Sequence, residues 1–157
     1  MNNLYNLQEQ YFFYKKYHLN TTNVLIHIGC IPMIVWTFCV FLTHFSSNIF
    51  YNPTFLMVNL YSWYYRILHE DLGRVMQLLL YMSWISSYFF YWYVSNSLKY
   101  TMLLHIGAWV AQFIGHFYFE GNRPALTDSL VQAFLIAPMF VLIDIQYLIE
   151  QRTSNHN

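Results

Sequence analysis

The sequence has little charge: only 9% of its 157 residues are Asp, Glu, Lys or Arg, against about 25% in an average soluble domain. Hydrophobic residues make up 57% of the chain and aromatic residues 22%, so too few polar side chains remain to cover a closed surface in water. We therefore expect part of the surface to face lipid. Seven basic residues balance seven acidic ones, which argues against nucleic acid as a partner.

Cysteine is also scarce. Cys30 and Cys39 lie nine residues apart within one apolar run, where they suit small buried side chains better than a disulfide or a metal knuckle. The clustered HxxHH boxes of di-iron membrane hydroxylases and desaturases do not occur in the sequence. The cysteine positions thus argue against a disulfide and leave the redox compartment undetermined, and the missing boxes argue against the di-iron hydroxylases and desaturases.

The N-terminal segment lacks the pattern of a cleavable signal, because polar residues are mixed with aromatics from Tyr5 to Tyr17 before any long apolar run. Leu4, Leu7, Tyr11 and Tyr14 recur at helical spacing. This pattern predicts an amphipathic helix that lies at the membrane interface.

Apolar stretches bounded by capping and turn residues predict five spans, of which the first is 22 residues long without Asp, Glu, Lys or Arg. The predicted spans are Val24 to Phe45, Asn52 to Leu68, Val75 to Val94, Met102 to Phe119, and Thr127 or Asp128 to Ile149. The second is short, so a four-span chain with a re-entrant or interfacial second segment stays open. With a cytoplasmic N-terminus, five spans place most basic residues inside.

The predicted fold class is all-α: an integral membrane bundle of about five (four to five) transmembrane helices with an interfacial N-terminal helix. Residues 1–150 are predicted to form a single transmembrane domain, and residues 151–157 a disordered tail.

Polar side chains within the apolar stretches are candidates for chemistry, because they are costly in a membrane and tend to face the bundle interior. Gln112, His116 and Glu120 are spaced by four, which places them on one helical face. His116 and Glu120 could then share one metal or one hydrogen-bonded network. His105 lies about 16 Å further along the helix axis and cannot bind the same ion.

His18 and His27 flank a cluster of helix-capping residues, Asn20 to Asn23, at the start of the first span, so a turn can fold His18 back toward His27. In the five-span topology, both would lie at the depth of His116 and Glu120. Three imidazoles with one carboxylate suit non-haem iron or another borderline metal.

Structural interpretations compete with these functional ones. Three further histidines are interpreted as buried polar core residues that are satisfied by hydrogen bonds: His44, His69 and His105. A stripe of small residues at every fourth position is explained by close helix packing: Gly107, Ala111 and Gly115. Asp144 lies deep in the fifth span, where a structural hydrogen bond competes with a supporting or proton-handling role.

Two blocks of the sequence, Tyr17 to Pro32 and Gln112 to Pro138, resemble the family of small membrane proteins typified by the yeast 2-hydroxy fatty acid dioxygenase. The second block carries the more specific pattern, Gln-x-x-Gly-His-x-x-x-Glu followed by Pro-Ala-Leu and a later Ala-Pro. The middle of the chain matches only in hydropathy. In yeast this family acts in the conversion of phytosphingosine to odd-numbered fatty acids.

The resemblance implies an iron(II)-dependent dioxygenase with O2 and a 2-hydroxy fatty acid as substrates and no 2-oxo acid. The implied reaction is oxidative decarboxylation to CO2 and the fatty acid one carbon shorter, as in fatty acid α-oxidation. The implied metal ligands are His18, His27 and His116, and Glu120 completes the implied catalytic set. Residues implied to support these ligands or orient substrate are Gln112, Asn23, Asp128 and Asp144. Arg123 lies just past the predicted helix end and could attract the fatty acid carboxylate, although a loop charge that follows the positive-inside rule explains it equally well. His105 falls outside the motif.

Other classes remain open on the residues alone. A b-type haem could use His27 with His105 or His116. A non-catalytic membrane lipid-binding or scaffold protein would use the same helices with structural histidines. The expected location is the endoplasmic reticulum in a eukaryote and the inner membrane in a bacterium, and an oligomer is possible.

Overall fold

The computed structural model describes residues 5–121 and 132–154, and within these ranges the regular structure is entirely helical, as predicted. Two π-helical turns, His116–Glu120 and Gln132–Ile136, flank the segment outside the described residues. The α-helices of the described residues are α1 (Leu7–Lys15), α2 (Thr21–Thr43), α3 (Pro53–Leu68), α4 (Glu70–Tyr93), α5 (Ser97–Gly115) and α6 (Ala137–Ser154).

Asparagine side chains begin the helices where the sequence predicts caps. The Asn20 side chain accepts a hydrogen bond from the backbone N–H of Thr22 at the start of α2. The Asn52 side chain accepts a hydrogen bond from the backbone N–H of Thr54 at the start of α3. Pro53 occupies the first helical position. Because these bonds satisfy N–H groups that a helix end leaves open, they fix where α2 and α3 begin.

In the part of the chain that the structure describes, three helices are long and apolar enough to cross a membrane: Thr21–Thr43, Ser97–Glu120 and Phe134–Ser154. The structure therefore supports a membrane protein. By contrast, α3 has only 16 residues and α4 carries two acidic residues in its first turn. The total of five spans stays a prediction, as does the interfacial position of α1.

The break between the second and third predicted spans is shorter than expected. Helix α4 begins at Glu70 instead of Val75, and His69 alone separates it from α3. The acidic residues that indicated a loop lie in the first turn of α4, where they complement the helix dipole. Gly73 packs directly against the Tyr65 backbone, an approach that a side chain would prevent.

The C-terminal prediction also differs from the structure, because α6 continues to Ser154 through four residues of the predicted disordered tail. The hydroxyls of Thr153 and Ser154 donate to the Glu150 carbonyl at 2.9 and 2.7 Å. Residues 155–157 lie outside the described residues, as do the predicted caps at Thr127 and Asp128.

The described residues divide into two compact units. The unit within Pro32–Val110 contains a buried cluster of hydroxyls, in which Thr54 contacts Thr43 at 3.2 Å and Ser87 lies 3.5 Å from Thr43. The other unit, within Met1–Ile31 and Ala111–Asn157, contains the three histidines of the predicted metal site.

Candidate metal centre

Three buried histidines from different parts of the chain meet in one cluster. His18 lies in the link between α1 and α2, His27 lies in α2, and His116 begins the π-helical turn after α5. Their ring centroids are 4.5 to 4.9 Å apart, and one nitrogen of each ring lies within 4.8 Å of the others. Among the His, Cys, Asp and Glu side chains of the described residues, these three histidines form a group that could together hold a metal ion.

Backbone carbonyls set the tautomers of two rings. Nδ1 of His18 lies 2.9 Å from the Tyr14 carbonyl, and Nδ1 of His27 lies 2.9 Å from the Asn23 carbonyl. Because a carbonyl only accepts, both Nδ1 atoms carry the proton, and each Nε2 keeps its lone pair for another partner. A backbone bond of this kind also orients the histidine ligands of metal sites.

Buried ring nitrogens in the cluster lack protein partners. Nε2 of His18 and Nδ1 of His116 are buried without a hydrogen bond. Leaving polar atoms unpaired in a dry site costs free energy, so such atoms need an explanation. A borderline metal ion is one partner that would satisfy neutral imidazoles, so the donor set fits such an ion.

The His18 ring is held in its neutral form. Burial, and then the neighbouring His27, lower the pKa of the His18 imidazole to about 2. Neutral imidazole is the form that binds a metal. The environment of His18 therefore favours the protonation state that a metal ligand needs.

Other described histidines use their ring nitrogens in hydrogen bonds with the protein. Nε2 of His44 contacts the Ser97 hydroxyl at 3.1 Å. Nδ1 of His105 contacts the Thr37 hydroxyl at 2.8 Å, while its Nε2 accepts from the Trp109 indole N–H at 3.1 Å. The structural interpretation of these two rings is confirmed by these bonds.

His69 is an exposed helix cap. Its Nδ1 accepts a hydrogen bond from the backbone N–H of Leu72 in the first turn of α4. The prediction that His69 is a buried core residue is therefore wrong, because its side chain is exposed and caps a helix.

Glu120 joins a hydrogen-bond network beside the three imidazoles, and it is not a member of the cluster described above. Its Oε1 accepts from the Asn20 backbone N–H at 2.9 Å and from the Asn23 side-chain amide at 3.0 Å. Asn23 also accepts from His27 through its backbone carbonyl. Glu120 thus holds the residue that orients His27.

Gly115 allows the close approach of Asn23. A Cβ at Gly115 would lie 2.5 Å from Oδ1 of the Asn23 side chain, which is fully buried. At Gly107, by contrast, a Cβ would meet nothing within 4 Å. Close packing therefore explains why residue 115 is a glycine. It does not explain the glycine at position 107, at the other end of the stripe of small residues.

Gln112 is buried in α5, one turn before His116, and its side-chain Nε2 has no hydrogen-bond partner. The structure keeps it on the same helix as His116, as the spacing predicts. Arg123 and Asp128, the other two predicted supporting residues of this region, lie outside the described residues.

Asp144 is almost fully buried in α6, at 1% exposure, and it binds three side chains of α1. Its Oδ1 accepts from the Tyr11 hydroxyl and its Oδ2 from the Tyr14 hydroxyl, both at 2.9 Å. The Lys15 ammonium lies 2.7 Å from Oδ1. Burial, and then the Asp144 charge, raise the pKa of Tyr14 well above its usual range, so its hydroxyl stays a donor.

This contribution of α1 is not apparent in the sequence. The helical spacing of Tyr11 and Tyr14 predicts only an amphipathic helix at the interface, whereas their hydroxyls pair with a buried acid. The available signal was the lone carboxylate of Asp144 within an apolar stretch, because a buried charge requires donors from elsewhere in the chain.

The helix that carries His116 ends in a wide turn. His116–Glu120 is π-helical, and Gly121 follows in the left-handed conformation with φ of 63°. Turns of this type occur frequently at functional sites. Gly121 tolerates the left-handed backbone because it lacks a Cβ, so it ends the helix directly after Glu120.

Together, membrane-spanning helices and a buried set of three imidazoles define a helical membrane protein with a candidate metal centre. Residues 4–147 match the family described as 2-hydroxy-palmitic acid dioxygenase Mpo1-like, and the chain belongs to this family. It is 34% identical over 144 residues to the 2-hydroxy-palmitic acid dioxygenase MPO1 of Saccharomyces cerevisiae. That match covers 90% of this chain and 80% of the yeast protein. No solved structure matches the chain.

Proposed function

We propose that this chain is a metal-dependent dioxygenase of the membrane that acts on 2-hydroxy fatty acids. The observation that carries the proposal is the cluster of His18, His27 and His116 in a member of the 2-hydroxy-palmitic acid dioxygenase family. The reaction would convert a 2-hydroxy fatty acid and O2 into the fatty acid one carbon shorter, CO2 and water. These products balance the atoms without a 2-oxo acid.

The proposed cofactor is Fe(II), held by the three imidazoles. Imidazole is a ligand that iron accepts. The yeast relative is named a dioxygenase, which is a class of enzyme that uses O2 as a substrate. When bound, the metal supplies the activation of O2 that amino-acid side chains cannot supply. The protein residues orient the ligands and keep water away from a buried site.

Supporting roles follow from the hydrogen bonds. Glu120 fixes Asn23, and the Asn23 carbonyl keeps the His27 proton on Nδ1, so His27 presents Nε2 to the metal. Gln112 has a buried amide nitrogen available for the substrate or for a ligand. Arg123 and Asp128 remain proposed substrate-orienting residues, Arg123 as a partner of the fatty acid carboxylate.

The membrane fits a fatty acid substrate. Three apolar helices long enough to cross the bilayer would let the acyl chain enter sideways from the lipid. We propose the endoplasmic reticulum as the location in a eukaryote and the inner membrane in a bacterium.

A haem function is less well supported by the arrangement of the rings. Each of the three imidazoles contacts the other two in an edge-on orientation. A haem would have to lie flat between two of these imidazoles, and the third ring obstructs that space.

The test uses protein purified in detergent without oxygen and loaded with Fe(II). It is given 2-hydroxypalmitic acid and O2, and mass spectrometry follows pentadecanoic acid. We expect product from the wild type, none from His116→Ala, and wild-type amounts from His69→Ala, which removes an exposed imidazole.

The outcomes separate the parts of the proposal. Iron binding without pentadecanoic acid would contradict the substrate and keep the metal centre. Wild-type protein that binds no iron would favour a non-catalytic lipid-binding or scaffold function with structural histidines.

A further inference from the structure

His18 differs from the other two histidines in what holds it. His27 lies within the long helix α2, and His116 continues from α5, whereas His18 lies in the short link after α1. Its backbone N–H donates to the Lys15 carbonyl at 3.3 Å, and its Nδ1 donates to the Tyr14 carbonyl at 2.9 Å. The position of His18 therefore follows the C-terminal end of α1.

Helix α1 needs an external support. It has nine residues, fewer than the dozen or so that an isolated helix requires for even marginal stability in water. The face that carries Tyr11, Tyr14 and Lys15 binds Asp144, which supplies both carboxylate oxygens. Tyr11 and Tyr14 also pack on Phe140, one turn before Asp144 in α6.

Tyr14 connects this support to the metal centre. Its hydroxyl binds Oδ2 of Asp144, while its ring stacks on the His18 imidazole with centroids 3.8 Å apart and planes 16° apart. Its carbonyl accepts the His18 Nδ1 proton. Tyr14 thus contacts Asp144 through its hydroxyl, and it holds His18 through its ring and its backbone carbonyl.

We propose that Asp144 is a positioning residue for the metal centre, which holds α1 and, through Tyr14, places the His18 imidazole against His27 and His116. This inference rests on the proposed function, because it requires His18 to be a metal ligand. It gives a reason for a buried carboxylate in an apolar helix, which costs free energy unless it is paired. Without Asp144, the site retains two firmly placed imidazoles.

The test measures Co(II) binding by the full-length protein in detergent, from the affinity and the visible d–d absorption spectrum. We expect Asp144→Asn to weaken binding about 10- to 100-fold, the usual effect of losing a residue that orients a ligand. Tyr14→Phe removes one hydroxyl oxygen and should shift affinity in the same direction by a smaller factor. Tyr118→Phe, at an exposed tyrosine next to the site, should bind like the wild type.

A double-variant comparison separates positioning from general stabilisation. In a His18→Ala background, Asp144→Asn should cause no further loss of affinity, because the ligand that it positions is gone. In a His27→Ala background, it should still weaken Co(II) binding about 10-fold or more. A merely structural role of Asp144 would lower affinity by the same factor in both backgrounds.

Equal losses in the two backgrounds, or wild-type affinity and spectrum in Asp144→Asn, would overturn the inference while the metal centre stands. If the wild type and His116→Ala bind Co(II) equally poorly, the proposed function fails and the inference fails with it. Should Asp144→Asn not fold, as judged by size-exclusion chromatography, Tyr14→Phe decides the same comparison.

Discussion

Gly115 directly precedes His116, and the space that it leaves is taken by the Asn23 side chain. We predict that Gly115→Ala weakens metal binding about 10-fold or more, because the added Cβ would displace Asn23, which orients His27. Metal titration of the purified protein measures the effect.

Gly107→Ala is the matched control, because it adds the same methyl group to the same helix in open space. It should leave metal affinity unchanged and stabilise the helix by up to about 1 kcal/mol, the usual preference for Ala over Gly. Equal metal affinity in the two alanine variants would contradict the role assigned to Gly115.

Two substitutions at Glu120 distinguish a metal ligand from a hydrogen-bond acceptor. Glu120→Gln keeps a carbonyl oxygen that can accept from Asn20 and Asn23, whereas Glu120→Ala removes the acceptor. We predict that Gln retains most of the metal affinity, and that Ala loses more and also lowers the free energy of unfolding by about 1 to 3 kcal/mol.

Calorimetry of metal binding and denaturant unfolding of the three proteins measure both quantities. If Glu120 binds the metal directly, the Gln variant should lose as much affinity as the Ala variant, which is the result that would reject the network role.

For single residues, the sequence motif indicates which side chains belong to the candidate site better than it indicates their hydrogen-bond partners. His18, His27 and His116 could be selected because polar side chains are rare in apolar helices and combine in a specific pattern. The spacing of His116 and Glu120 left a shared ion or a shared network open. The choice depends on the main-chain N–H of Asn20, 100 residues away, which no local pattern contains.

Among the helices, the turn between α3 and α4 is tight because Gly73 packs on the Tyr65 backbone. We predict that Gly73→Ala lowers the free energy of unfolding by about 1 to 3 kcal/mol, since the Cβ would overlap main-chain atoms that cannot move aside. Thermal unfolding in detergent measures this change, with Gly107→Ala as the control. Unchanged thermal stability in Gly73→Ala would show that the two helices can separate at no cost.

The helices themselves were predictable, and their junctions were less so. The caps at Asn20 and Asn52 fixed two starts within a few residues, because a capping bond is made within the same turn. The sequence predicts a third span that starts at about Val75, since acidic residues and a glycine are typical of loops, whereas α4 begins at Glu70. Only the packing of Gly73 on the preceding helix explains why the chain turns within one residue.

On the scale of the whole molecule, the three apolar helices among the described residues predict firm membrane insertion. We expect the protein to remain in the membrane fraction after alkaline carbonate washing and to enter solution only with detergent. Release by carbonate would indicate a peripheral protein and would contradict the assignment of spanning helices. A co-expressed peripheral protein should be released in the same wash.

The overall class was predictable from composition alone, because a chain with 9% charged residues cannot cover its surface in water. The number of membrane spans could not be predicted in this way, because a helix of moderate hydropathy suits either a membrane or a protein interior. Within the described residues, length and composition support three spanning helices, and the prediction of five awaits a topology measurement.

The bonds between α1 and α6 join residues that are made at opposite ends of protein synthesis. Tyr11 leaves the ribosome 133 residues before its acceptor, Asp144. If Asp144 places His18 as proposed, a growing chain cannot complete its metal centre until α6 has been made. The metal would then be acquired only after α6 has been synthesised, and a chain that stops before α6 would hold metal weakly.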